Sequence, residues 1–514
     1  MEGTIWSLVP PLVMIILVLA TRKVLISLGA GIIVGALMID QFNVLASIER
    51  IWLSFQELFY ADGAWDVWSI QLVLFLILLG ILIAFLTASG GARAFGNWAI
   101  QRIETRKGSQ YTTGLLGIGI FIDDYFNALT IGQVARPMTD RQNVSRAKLA
   151  YLIDSTSAPI TVLSPISSWG AYIIGTIATI ITANEISNIQ ALESFVQMIP
   201  YNFYALAAIA LVFLVIFFNL NIGPMVRHEN RAIKSGQLID PLNKDDIPGD
   251  LQEEVHENKN GKVYHLLLPI IVLLGATIGS MIVTGARASE GEVTAISIFA
   301  NTNVNFSLVF GGAAAVLVSV IFYFVQSGEK SNFFRVVLEG IKAMLPAIYI
   351  LVLAWMIVSI IGDIGTDAYL SGVVENSNIN VSYLPLLVFV IAGLMAFATG
   401  TSWGTFGIML PIAGSMAATL DVSLFVPALA AVLAGSVFGD HCSPISDTTV
   451  LSSTGAGSNH IDHVLTQIPY ALIAGVSSIL GYVMYGAFGS LILGLLVTFV
   501  IMIGIVLLLK KVME

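Results

Sequence analysis

The sequence predicts an all-α polytopic membrane protein: about 11 transmembrane helices plus two opposed re-entrant hairpins, arranged as two inverted repeats with broken helices. Three observations carry that expectation. The 514 residues are 56% hydrophobic and only 11% charged, against about 25% charged in a soluble domain. Apolar runs of 16 residues or more recur along the whole length, each able to cross a hydrocarbon core of about 30 Å. The 23 Lys and Arg residues fall in clusters between those runs, and such clusters fix sidedness.

Taken in order, the first run, Ile5–Ala20, has no basic segment ahead of it and is followed by Arg22 and Lys23. That pattern reads as a retained span with the N-terminus outside, not as a cleaved signal. Val67–Leu86, Phe203–Leu220, Leu266–Val283, Phe306–Val325 and Ala343–Ile361 are further spans, and Ile468–Tyr485 and Leu491–Leu509 close the chain. The single Cys442 rules out an intrachain disulfide. A net charge of −10 offers nothing to a nucleic acid, and the chain has neither a nucleotide motif nor a nucleophile–base set. Neither an enzyme nor a cofactor is expected.

The basic residues decide the topology. Arg93, Arg102, Arg106 and Lys107 form one cluster and Arg136, Arg141, Arg146 and Lys148 the next, separated by one apolar stretch, Tyr111–Ala135. A single span there would put one cluster outside. It would also carry Asp123, Asp124 and Asn127 through lipid at mid-depth, where polar groups are most costly. A hairpin entering from the cytoplasm, with its tip at Ile122–Asn127 and limbs of about 11 residues (roughly 17 Å), puts both clusters inside. Then 21 basic residues lie inside and only Arg50 and Arg287 outside, as the positive-inside rule requires. In the second half, the limbs Leu386–Met395 and Phe406–Met416 flank Phe397–Thr405, and the adjoining loops hold no Lys or Arg. That hairpin is expected to enter from outside, and the C-terminus to lie in the cytoplasm.

After each hairpin comes a similar stretch. Val144-Ser145 precedes Ser164-Pro165-Ile166-Ser167, and Val422-Ser423 precedes Ser443-Pro444-Ile445-Ser446 at nearly the same spacing. Pro and Ser inside an apolar run break the hydrogen-bond ladder. Backbone freed at membrane depth is tolerated only where it lines a cavity or is buried in protein. The expected organisation is an N-terminal span over 1–23, then repeat 1 over 24–222, with its hairpin at 111–137 and broken helix at 144–183. A solvated cytoplasmic linker follows over 223–263, then an extra span and external loop over 264–304. Repeat 2 covers 305–487, with its hairpin at 384–417 and broken helix at 424–457, and a span and basic tail end the chain at 488–514.

Five carboxylates are expected inside the membrane, Asp123, Asp124, Asp154, Asp440 and Asp447, with His441 the only histidine among them and no Lys or Arg at that depth. Such a carboxylate must be protonated or hold a cation, which is what alternate binding of protons and a metal ion needs. Asp154, Asp440 and Asp447 are the candidate metal ligands. Hard cations prefer oxygen, and Ser155, Ser164, Ser167, Thr399, Thr401, Ser402, Ser443, Ser446 and Thr448 can supply it. Asp124 and Asp447 have an alternative role as helix N-caps, whereas Asp154 sits too deep in its helix to cap. His460 and His463 read as polar residues at the cytoplasmic end.

The run GIFIDDYFNALTIGQVARPMTDRQNVSRAKLAYLIDSTSAPITVLSPISSWGAYIIG (Gly119–Gly175) and GSVFGDHCSPISDTTVLSSTGAG (Gly435–Gly457) resemble the NhaC-type Na⁺/H⁺ antiporter family. The resemblance covers essentially the whole chain. It implies the wider ion-transporter superfamily, with paired hairpins, broken helices and elevator-type motion. The expected function is secondary active transport in the bacterial plasma (inner) membrane, exchanging Na⁺ for H⁺ at the buried carboxylates. The alternative is a Na⁺- or H⁺-coupled carrier of a small organic solute, an amino acid or a carboxylate such as malate or lactate. Its partners are then Na⁺, H⁺ and the lipid bilayer, with a homodimer as a possible assembly.

Overall fold

A computed structural model describes the chain except for residues 1–2, 22, 62, 101, 104, 122, 166, 187–188, 243–256, 290–292, 367, 370–371, 373–379 and 514. Ile122 of the expected hairpin tip, Ile166 of the first break and the middle of the 223–263 linker therefore lie outside the described residues. Long apolar runs become helices because only intrasegment hydrogen bonding satisfies the backbone in lipid. The first half contains α1 (Val9–Thr21), α2 (Val24–Ile39), α3 (Val44–Glu57), α4 (Val67–Ala88), α5 (Gly91–Ile100), α6 (Arg106–Gly119), α7 (Asp124–Arg141), α8 (Arg146–Leu163), α9 (Ser168–Ala183), α10 (Ala191–Met198) and α11 (Phe203–Phe218). After α12 (Met225–Ser235) come α13 (Tyr264–Ala288), α14 (Ala295–Ala300), α15 (Val304–Val325) and α16 (Phe333–Asp363). The chain closes with α17 (Leu384–Thr399), α18 (Ser402–Leu420), α19 (Phe425–Cys442), α20 (Asp447–Ala456), α21 (His460–Phe488) and α22 (Leu491–Met513). Among the described residues, nine helices are long and apolar enough to cross a membrane, or eleven when each bent pair counts as one span. Among the described residues, the one β pairing is a two-residue ladder of Tyr60–Ala61 with Ala64–Trp65.

The first hairpin closes on itself. Gln142 Nε2 donates to Ile103 O at 2.9 Å and Arg106 Nε to Asn143 O at 3.3 Å, so the start of α6 lies beside the end of α7. The limbs are longer than the apolar stretch suggested, 14 and 18 residues, because each helix runs on into its basic cluster. In the second hairpin, α17 and α18 turn at Gly400, whose φ of +68° needs a residue without Cβ. A side chain there would also strike the backbone of Ile445. Both outer ends of that hairpin reach the end of α21: the Tyr383 ring packs at Gly486, and Asp421 lies within electrostatic range of Tyr485.

Both broken helices form at the Ser-Pro-Ile-Ser sequences. Ser164 and Ser443 end α8 and α19 in extended conformation, and Ser167 and Ser446 are the N-caps that restart α9 and α20. Helix α7 crosses α20 so closely that a Cβ on Gly132 would collide with the Gly455 backbone. Helix α19 crosses α17 in the same way, Gly435 against Phe389 O and Gly439 against Gly393 O. Small residues permit such approach between helices in lipid, where packing replaces the hydrophobic effect. Hairpins and broken helices thus form one block with α11 and α21. Helices α4, α13, α15 and α16 form a second layer against it, joined through Leu76, Leu79, Phe126, Leu273 and Met344.

The linker departs from the solvated reading at its start. Helix α12 docks on the block: buried Glu229 pairs with Arg106 and accepts from the Ser145 backbone N–H at 2.9 Å.

Candidate cation-binding site

The hairpin tips and the helix breaks meet in one place. At the first tip, Asp123 is the N-cap of α7, accepting from Phe126 N at 3.0 Å through Oδ1 and from Ser168 Oγ at 2.8 Å through Oδ2. The cap is Asp123 and not Asp124, because an N-cap must lie just ahead of the first helical residue. Asp124, inside the first turn, accepts from Trp169 Nε1 at 2.9 Å through Oδ1, while its buried Oδ2 has no hydrogen-bond partner. Asn127 braces the tip by donating to Gly117 O at 2.7 Å and to Ile120 O.

The second break faces this tip. Asp447 opens α20 just after the Ser446 cap; its Oδ1 accepts from Thr448 N at 2.8 Å, and its Oδ2 from the Tyr125 hydroxyl. Asp440, near the end of α19, accepts from Ser402 Oγ at 2.6 Å and from Thr448 Oγ1 at 3.3 Å, and Ser446 Oγ lies 2.9 Å from Thr448 Oγ1. Tip one is thus tied to break two through Tyr125–Asp447, and tip two to the same break through Ser402–Asp440. Asp124 stands within electrostatic range of Asp123, Asp447 and Asp440. No Lys or Arg pairs with any of the four in the ion pairs of the described residues. A cleft opens beside them with two adjoining lobes, one of about 410 Å³ touching Asp123 and Asp124, the other of about 170 Å³ touching Thr401 and Asp447. Trp68, Tyr125 and Trp403 border both lobes.

The remaining expected site residues lie apart. Asp154, fully buried in α8, accepts from Ser452 Oγ at 3.1 Å, Thr449 Oγ1 at 3.3 Å, His463 Nε2 at 3.1 Å and the Gln467 amide. That network holds α8 to α20 and α21. It gives His463 more than the generic polar role expected of it: the ring is wholly buried and pairs with the carboxylate. His460 is buried too, 2.8 Å from Pro444 O at the second break. His441 turns away from Asp440 toward Tyr204, 2.9 Å from its hydroxyl. The Ser167, Thr399 and Ser443 hydroxyls bond to backbone groups at the breaks and tip, Ser167 donating to the Ser164 carbonyl at 2.8 Å. Ser155 faces Tyr151 and Tyr204.

Sequence reasoning missed Tyr125, Trp169, Thr449, Ser452, His463 and Gln467. The available signal was the spacing of His460, His463 and Gln467 at three and four residues, one face of a helix, in a segment that the hydropathy reading left outside its span. Among the described residues, the one set of three acid or imidazole ligands within 4.8 Å of one another is His228, Asp240 and Asp462. Arg231 already donates to that histidine and to Asp240. Asp123, Asp124, Asp440 and Asp447 are not among such sets; one or two of these carboxylates, with neighbouring hydroxyl and carbonyl oxygens, could hold a cation.

Paired hairpins, helices broken at buried acids and a cleft against a second layer define a secondary transporter, a multi-pass membrane protein. The sequence profile of the Na⁺/H⁺ antiporter family matches residues 160–487. An uncharacterised protein of Haemophilus influenzae is 46% identical over 514 residues, covering 99% of this chain and 96% of its own. Two named relatives match over shorter stretches. One is an uncharacterised Na⁺/H⁺ antiporter of Haemophilus influenzae, 35% identical over 21% of this chain and 23% of its own. The other is the malate-2H⁺/Na⁺-lactate antiporter of Bacillus subtilis, 34% identical over 21% of this chain and 24% of its own. The chain belongs to the Na⁺/H⁺ antiporter family.

Proposed function

We propose that this transporter exchanges Na⁺ for protons at the hairpin tips, in the plasma (inner) membrane of a bacterium, with its N-terminus outside and its C-terminus in the cytoplasm. The observation that carries the reading is the placing of Asp123, Asp124 and Asp447 around one cleft, with Asp440 buried behind it on Ser402 and Thr448, and with no Lys or Arg ion-paired to the four among the described residues. Buried carboxylates left without a basic partner bind either protons or a metal cation. Asp440 and Asp447 are the primary Na⁺ ligands, because Thr448, Ser402 and the broken backbone at Ser443–Ser446 bring neutral oxygens to the same point. Asp154, held by four donors, keeps α8, α20 and α21 in register beneath them. Protons and Na⁺ then compete, and movement of the hairpin block along the α4–α16 layer alternates access.

Competition has a measurable signature. Apparent Na⁺ affinity weakens as pH falls, by up to about tenfold per pH unit for each proton displaced, and Na⁺ binding releases protons by reciprocity. Calorimetric Na⁺ titrations in two buffers of different ionisation enthalpy, at pH 6 and pH 8, read the release directly. Na⁺ binding with no proton release at either pH overturns the shared-site exchange. The malate–lactate exchange named for the Bacillus subtilis relative and the size of the larger lobe support a second reading, in which an organic solute is exchanged at the same cleft.

A further inference from the structure

The larger lobe of the cleft is shaped for something other than a bare metal ion. Its volume of about 410 Å³ is room for roughly a dozen waters at about 30 Å³ each, and it falls in the range of small-molecule pockets, about 300–1,000 Å³. Trp68, Tyr125, Tyr172 and Trp403 line it. Aromatic faces are poor partners for a hard ion that wants oxygen, but they attract alkylammonium groups through the ring quadrupole. Tyr172 and Trp403 stack as a tilted pair with centroids 5.1 Å apart, on the hairpin side of the lobe. Trp68, at the start of α4, contributes from the opposite layer.

The charged groups carry one sign. Asp123 and Asp124 line the lobe, and Asp124 is 1% exposed with its Oδ2 lacking a hydrogen-bond partner. A buried carboxylate oxygen without a partner calls for a donor, and a ligand N–H supplies one at low cost. Among the described residues no Lys or Arg lines the lobe, and the Ser168 hydroxyl, which does, already donates to Asp123. A ligand carboxylate entering there meets two acids and no basic side chain.

We infer that the lobe binds an organic primary ammonium ion with an apolar or aromatic body and no carboxylate of its own. Its nitrogen donates to Asp124 Oδ2, and its body lies between Trp68 and the Tyr172–Trp403 pair. The inference rests on reading the hairpin tips as the translocation site, and it makes the coupled solute an amine rather than an amino acid or a carboxylate. Because the walls come from both layers, a bound amine bridges the two parts that must slide.

Three probes that share one body separate the cases: 2-phenylethylamine, phenylalanine and phenylacetate, titrated calorimetrically into the purified full-length protein in detergent without Na⁺. The amine binds, phenylalanine binds at least tenfold more weakly, and phenylacetate gives no saturable heat. Asp124→Asn weakens the amine at least tenfold. Trp68→Leu, a partly exposed position that keeps the inference testable if the aspartate variant misfolds, weakens it severalfold. Absence of amine binding overturns the inference, as does phenylalanine or phenylacetate binding as tightly as the amine, or amine binding indifferent to both substitutions. Na⁺-driven proton movement in proteoliposomes is read separately. Exchange without amine binding removes this inference and leaves the proposed exchange. Amine binding without Na⁺/H⁺ exchange does the reverse.

Discussion

Asp154 and Asp447 are both buried acids, yet their surroundings assign them different work. Asp154 takes four hydrogen bonds, from two hydroxyls, an imidazole and an amide, and lines neither lobe of the cleft. Asp447 takes two and lines the cleft. Asp154→Asn replaces an acceptor oxygen with an amide that faces donors and leaves buried partners unsatisfied. The expected loss is about 3 kcal/mol of stability, together with loss of exchange. Asp447→Asn abolishes Na⁺-coupled proton movement while the melting temperature in detergent shifts little. Equal destabilisation by the two substitutions contradicts this division. The carboxylates themselves were legible in sequence because a charge inside an apolar run is conspicuous. Their partners were not. Ser452 and Gln467 are unremarkable polar residues in sequence, and they acquire meaning only when α20 and α21 fold against α8.

The breaks were legible for a related reason, since Pro and Ser interrupt an apolar run where any helix must stop. Helix ends were less so: α21 begins at His460 and not at Ile468, because its polar first turns are buried by protein and hydropathy scores them as loop. The crossing of α7 and α20 was invisible, although it fixes tip one against break two. A Cβ on Gly455 would stand 2.5 Å from Ala128 O, so Gly455→Ala costs about 1–3 kcal/mol through overpacking. Gly275→Ala in α13, with no atom within 4 Å of the new methyl, is neutral or stabilising by up to about 1 kcal/mol. Melting temperatures of the two variants in one detergent test the contrast. Helix α12 is a second element that hydropathy misread. Burial holds the His228 imidazole below its ordinary 6.5, with Arg231 and Arg227 acting in the same direction and Asp462 and Asp240 against it. A histidine whose folded pKa is depressed imposes no penalty above 6.5 and destabilises the fold as pH falls below it. The melting temperature of the wild type therefore drops more between pH 7.5 and pH 5.5 than that of His228→Gln. Parallel pH curves for the two proteins remove α12 as a pH-sensitive contact.

At the scale of the whole molecule, the two hairpins and two breaks are arranged so that one half answers the other. Ile103 bonds to Gln142 at the mouth of the first hairpin. Tyr383 and Asp421, at the mouth of the second, both reach the Tyr485–Gly486 end of α21. That helix begins at His460 near α12 and runs 29 residues, about 43 Å at 1.5 Å per residue, which exceeds a hydrocarbon core of about 30 Å. A helix of that length is expected to place its two ends on opposite faces of the membrane. The first mouth belongs with the α12 end, because Arg106 and the Ser145 backbone both bond to Glu229 of α12, while His228 of that helix lies 3.9 Å from Asp462. The second mouth belongs with the far end. The hairpins should thus open to opposite sides, the first to the cytoplasm where the basic clusters gather. Single cysteines in a Cys442→Ala background read this directly. Lys107→Cys and Gln142→Cys react with an impermeant maleimide only in inside-out vesicles, whereas Ser382→Cys and Asp421→Cys react only in right-side-out vesicles or intact cells. Labelling of Lys107→Cys and Gln142→Cys from opposite sides makes Tyr111–Ala135 a full span. Labelling of all four from one side leaves two hairpins but no inversion between them, and an alternating-access block built from opposed halves goes with it.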